Sequence, residues 1–76
     1  MYKADGFDKA IIGYCRICGR EDVLAYDYWK CIDILKERDG MNAEEAIDYM
    51  EFNVIGAYVG ELTPAFIYET DVGDDL

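Results

Sequence analysis

Cys15, Cys18 and Cys31 are the side chains in this sequence best suited to holding a metal ion. Cys15-Arg16-Ile17-Cys18-Gly19 has the form of half a zinc knuckle, in which two thiolates and the amides of a turn converge on one ion. Zinc takes four ligands, and here only Cys31 and carboxylates such as Asp27 are left to complete the set. A thioredoxin-type redox pair needs the motif at a helix N-terminus, whereas this one ends a strand. The plain expectation is therefore three reduced core or turn cysteines, with no metal and no cofactor. A small zinc-stabilised regulator or scaffold built on Cys15, Cys18 and Cys31 is the alternative.

The sequence lacks His, Ser and Gln. That removes the commonest general acid–base side chain and the serine nucleophile. It also removes the commonest nitrogen ligand for metals. The expectation is a protein that is not an enzyme. Neither a phosphate-binding glycine loop nor a dinucleotide fingerprint is present.

Glu44, Asp48 and Glu51 follow one another at helical spacing, on one helix face, with Glu45 beside them. No base or Gly-rich loop flanks them, so catalysis is not indicated. A solvated face is the plain reading. The sharper one is a row of negative charge that imitates phosphates toward a basic protein groove. Glu61 and Asp71 extend the same acidity further along the chain. Tyr28 and Trp29 open a helix next to a turn, where they serve either as core or as an aromatic anchor in an interface.

Charge placement sharpens this reading. The seven acids up to Glu37 balance all seven bases, so the acids from Asp39 onward carry the whole net charge of −10. Such a field repels nucleic acid and anionic membrane and attracts basic proteins. The expected partner is thus a protein with a basic surface, not nucleic acid and not a membrane. An apolar content of 53% argues for a folded chain, and 76 residues suffice for one domain. The odd cysteine count, the absence of a secretory apolar core at the N-terminus and of any transmembrane run point to the cytoplasm.

These side chains are positioned by five expected elements. Residues 9–17 and 23–26 read as strands of an antiparallel hairpin, with both faces covered early in the first. Asp27 is placed to cap a helix over 28–38, whose inward stripe is Tyr28, Cys31, Ile32 and Leu35. Asn42 and Glu45 form a capping box for a second helix over 42–60, stapled by Met41 on Ala46. Its inward stripe is Ala43, Ala46, Ile47, Met50, Val54, Ala57 and Tyr58, and a later stripe of Phe52, Ile55 and Val59 is expected to be enclosed. If that later half is exposed, it becomes a homodimer contact. Residues 65–70 alternate as a third strand after the Pro64 turn, and 1–8 and 71–76 read as loose termini. The sum is one α+β two-layer domain, β-β-α-α-β, with a three-stranded antiparallel sheet and a helical hairpin on one face.

The pattern Glu44-Glu45-Ala46 … Glu51-Phe52-Asn53-Val54-Ile55-Gly56-Ala57-Tyr58-Val59-Gly60-Glu61 … Thr63-Pro64, preceded by Gly6-Phe7-Asp8-Lys9-Ala10-Ile11-Ile12-Gly13, resembles a group of small acidic proteins encoded by bacteriophages and prophages. The resemblance runs over most of the chain and carries no functional residues with it. It implies a setting: an accessory phage protein in the host bacterial cytoplasm. The function expected there is inhibition of a host defence protein, a nuclease or CRISPR effector, by occlusion of its nucleic-acid-binding surface. A further alternative is an oligomeric sponge for a small ligand, with a pocket lined by Tyr and Asn53.

Overall fold

The computed structural model describes residues 2–57 and 63–69. Strand β1 (Ile11–Cys15) and strand β2 (Val23–Asp27) are followed by helix α1 (Tyr28–Asp39), helix α2 (Ala43–Tyr49) and strand β3 (Ala65–Ile67). A 3₁₀ turn, Asp8–Ala10, precedes β1. Helix α2 continues as a π-helical segment, Met50–Val54, and a 3₁₀ turn, Ile55–Ala57. The α+β class and the β-β-α-α-β order are those expected.

Local chemistry sets the helix ends. Asp27 accepts a hydrogen bond from the Lys30 amide at 3.2 Å and so satisfies one orphan N–H at the start of α1. Gly40 ends α1 in the left-handed region at φ 69°, which lets the amides of Gly40 and Met41 turn back onto the Leu35 carbonyl. The capping box forms in both directions. The Glu45 amide donates to Asn42 Oδ1 at 2.8 Å, and the Asn42 amide donates to Glu45 Oε1 at 3.1 Å.

The sheet is mixed, not antiparallel. Strand β2 lies in the centre, antiparallel to β1 and parallel to β3, with Ala25 beside Ala65, Tyr26 beside Phe66 and Asp27 beside Ile67. A parallel pair needs a crossover of about a dozen residues or more, and the two helices supply it. Alternating hydrophobicity has the same period whichever way a strand runs, so the sequence pattern is blind to this choice. The stack of Tyr26 on Phe66, 5.5 Å between centroids, accompanies the register.

Strand β1 is an edge strand, and its two faces are not both covered as expected. Ile12 and Tyr14 are each 60% exposed. The ladder skips Ile12 between the Ile11–Tyr26 and Gly13–Ala25 pairs, a bulge that takes Ile12 out of register.

The core joins Tyr26 of β2, Tyr28, Cys31, Ile32 and Leu35 of α1, and Ala46, Met50 and Val54 on the second helical run. The four expected α1 positions are thus all inside. On the second run the expected stripe is narrower. Ala43, Ile47 and Ala57 are exposed, and Tyr58 and Val59 lie outside the described residues. Phe52 is 77% exposed, so the later half is not enclosed on a second side. The buried positions recur every four residues, a spacing the wider π turn keeps in line. Phe52 is two residues from both Met50 and Val54, hence on the opposite side, and a two-layer domain covers a helix on one side only.

The N-terminal lead-in is not loose from Ala4 onward. Ala4 and Phe7 are buried, and the Ala4 amide donates to the Tyr26 hydroxyl at 2.8 Å. Arg38 closes this segment, donating from Nη1 to the Gly6 carbonyl at 2.9 Å with its guanidinium 5.5 Å from the Phe7 ring centre. The expected loose tail, 71–76, lies outside the described residues.

Candidate functional site

Tyr28, Trp29, Tyr68 and Glu51 come from three separate parts of the chain and meet at one place. Asp27 fixes the start of α1, which puts Tyr28 inward and leaves Trp29 45% exposed. The π-helical segment carries Glu51. Strand β3, docked on β2, delivers Tyr68 just past its end. The Tyr28 and Tyr68 rings stack at 4.0 Å and 23°. Trp29 stands edge-on to both, 5.0 Å from Tyr28 and 6.0 Å from Tyr68, with planes near perpendicular.

Both tyrosine hydroxyls donate to the same carboxylate oxygen, Glu51 Oε1, at 3.3 Å from Tyr28 and 3.2 Å from Tyr68. Burial, the neighbouring Tyr68 and the Glu51 charge together raise the Tyr28 pKa above the ordinary phenol range. Tyr68 is raised as well, by burial first and then by Glu51. Both phenols therefore stay protonated at neutral pH and remain donors. No ion pair to Glu51 occurs among the described residues, and the sequence has no Lys or Arg after Arg38.

The acids singled out from the sequence divide. Glu44, Glu45, Asp48 and Glu51 are all exposed, but among the described residues only Glu44 and Asp48 of these four take no side-chain hydrogen bond or ion pair. Glu45 is held in the capping box and Glu51 in the aromatic cluster. The ion pairs among the described residues are Lys3–Asp8, Arg16–Asp22 and Arg38–Asp39, and none reaches an acid beyond Asp39. Glu61 and Asp71 lie outside the described residues.

The three cysteines are not brought together as ligands. Cys31 is fully buried in the core, and its thiol is pushed up to about 12, by burial first and then by the Asp27 charge. Cys15 is half-buried at the end of β1, and Cys18 is exposed on the following turn. Among the described residues, no group of three or more Cys, Asp or Glu is placed to hold a metal ion.

Two concave surfaces lie elsewhere. One, of about 500 Å³, is lined by Gly6, Asp8, Lys9, Ile34, Glu37 and Arg38, with Arg38 already committed to Gly6 and Asp39. The other, of about 200 Å³, includes Tyr49 and Asn53, the residue types expected of a small-ligand pocket. Its size is below the range of about 300–1,000 Å³ usual for such sites.

Sequence reasoning picked out Tyr28 and Trp29 and, separately, Glu51. It missed Tyr68, and it missed that the four residues form one unit. Residues at three separate places in the chain give no local signal of their meeting. Among the described residues, no helix is long and apolar enough to cross a membrane.

The fold and this cluster define a small α+β domain with an exposed aromatic–carboxylate surface and, among the described residues, no group of three Cys, Asp or Glu placed to hold a metal. In comparisons with known proteins, no family model, no curated protein and no solved structure matches the chain.

Proposed function

We propose that this chain is a non-enzymatic binding protein of phage or prophage origin. It occludes a basic, nucleic-acid-binding surface on a host defence protein, a nuclease or CRISPR effector, in the bacterial cytoplasm. The observation that carries the reading is the pair Glu44 and Asp48, exposed and, among the described residues, without an ion-pair partner. Like charges four residues apart on a helix cost about 0.2–0.5 kcal/mol. The positive end of the helix dipole offsets this cost for Glu44, in the first turn. Such a pair stabilises the folded chain little, yet it presents negative charge toward solvent beside a half of the chain with no bases. Phe52 adds an apolar anchor on the same helical run.

The test measures binding to basic nucleic-acid-handling proteins of the bacterial host, with duplex DNA as competitor at several salt concentrations. Binding should weaken with salt, compete with DNA and drop sharply in the Glu44→Lys/Asp48→Lys double variant. Unchanged affinity in that variant would falsify the acidic-face mechanism.

Pairing of two copies through Phe52 is a second arrangement, favoured by the exposure of that ring. Sedimentation separates the two. A dimer that becomes monomeric on Phe52→Ala supports self-association, and a monomer at every concentration removes it.

A further inference from the structure

We propose that Trp29, Tyr68 and Glu51 form a seat for one arginine side chain presented by the basic partner. The proposal rests on the binding reading above and names the contact at its centre. Trp29 and Tyr68 are each about half exposed, so each ring offers surface to solvent. Their ring planes are perpendicular with centroids 6.0 Å apart, and a cation is favoured over the exposed face of a ring, not at its positive edge. Tyr28, buried and stacked on Tyr68, holds that ring in place.

Glu51 supplies the negative charge beside these rings. Glu51 Oε1 takes both tyrosine hydroxyls, which fixes the carboxylate, while no hydrogen bond to Oε2 is formed among the described residues. A cation over an aromatic face is favoured by the ring quadrupole, and arginine is the more frequent partner in such contacts. Its planar fork also donates to a carboxylate with the geometry that a lysine ammonium lacks. Among the described residues, no basic side chain of the protein itself pairs with Glu51. The chain's acidic second half supplies the matching long-range attraction.

Trp29 is the single tryptophan, so its fluorescence reports on the seat directly. Titration with N-acetyl-arginine amide should change that fluorescence saturably, and the neutral isostere N-acetyl-citrulline amide should not. Glu51→Gln keeps an acceptor for both tyrosine hydroxyls while removing the charge, and should weaken the arginine response about tenfold or more. If Glu51→Gln fails to fold, Tyr68→Leu, which keeps Glu51 and its bond from Tyr28, should weaken the response by a similar factor. Equal responses to arginine and citrulline amides, or an undiminished response in whichever of the two variants folds, would overturn the seat. The two readings fail separately. Partner binding that depends on Glu44 and Asp48 but not on Glu51 sinks the seat alone. An arginine-specific response without DNA-competed partner binding sinks the occlusion reading and leaves the seat.

Discussion

The Tyr28 ring lies 4.0 Å from the Tyr68 ring, centroid to centroid and 23° from parallel. That stack ties the first residue of α1 to the chain immediately after β3, forty residues further on in sequence numbering. In a domain this small, where the buried fraction of surface is low, such a long-range clamp matters to stability.

Replacing Tyr68 separates the stack from the hydrogen bond. Tyr68→Phe keeps the ring and loses the bond to Glu51, at a cost of about 0.5–1 kcal/mol. Tyr68→Ala loses both, at about 1.5–2 kcal/mol or roughly 10 °C in melting temperature. Thermal melts followed by circular dichroism measure both. Equal losses in the two variants would assign the effect to the hydroxyl and remove the stack as the clamp.

Stability should fall at alkaline pH. Burial, and then the nearby Asp27 charge, raises the Cys31 thiol from 9.0 to about 12, and Tyr28 is raised above 10.0 by its own burial, Tyr68 and Glu51. Both groups ionise more readily in the unfolded chain. Their contribution is therefore complete below the unfolded pKa and lost as pH rises toward the folded one. From about pH 9 upward the folded population falls by up to roughly tenfold per pH unit for each group while the pH lies between its two pKa values. Melts at about pH 7.5, 9 and 10.5 test the sign. In Cys31→Ala the decline should begin about one unit later, at the tyrosine. A melting temperature that stays flat to about pH 10.5 would contradict both assignments.

Gly56→Ala should destabilise, against the usual preference of helices for alanine. A Cβ at Gly56 would stand 2.7 Å from the Glu51 carbonyl oxygen, closer than a real contact allows. The carbonyl is backbone in the π-helical segment and cannot swing aside. Overpacking of this kind costs about 1–3 kcal/mol, more than the roughly 1 kcal/mol that alanine gains over glycine in helix propensity. Chemical denaturation gives the number. A stabilised Gly56→Ala variant would mean that this stretch relaxes to a regular α-helix.

Phe52→Ala should leave folding stability within about 0.5 kcal/mol, because the ring is exposed, whereas Met50→Ala and Val54→Ala should each cost about 2–4 kcal/mol. In the partner-binding measurement the order reverses, with Phe52→Ala weakening affinity about tenfold as an interface anchor does. Loss of stability in Phe52→Ala comparable with Met50→Ala would restore the enclosed-helix arrangement that the sequence pattern suggests.

Much of the fold is legible from local chemistry. Asp27, Gly40, Asn42 and Glu45 mark helix ends because caps act over three or four residues, and the predicted caps and capping box are the ones formed. Tyr28, Cys31, Ile32 and Leu35 announce the buried side of α1 because a single helix with one covered face follows the 3.6-residue period. Past Tyr49 the period changes with the π turn, and that change has no local signature in residue type. The fates of Phe52 and Ala57 are therefore misjudged from the sequence.

The sequence by itself determines the acidic second half, the absence of His and Ser, the α+β class, the starts of both helices and the end of α1, since each rests on composition or on neighbours a few residues apart. The tertiary structure alone decides that β3 runs parallel to β2, that Ala4 and Phe7 join the core, and that Cys31 is buried while Cys18 is exposed. It alone also brings Tyr28, Trp29, Glu51 and Tyr68 to one place. The reason is shared: strand direction and long-range packing depend on which surfaces meet after the crossover closes, and no pattern of period two or 3.6 encodes that meeting.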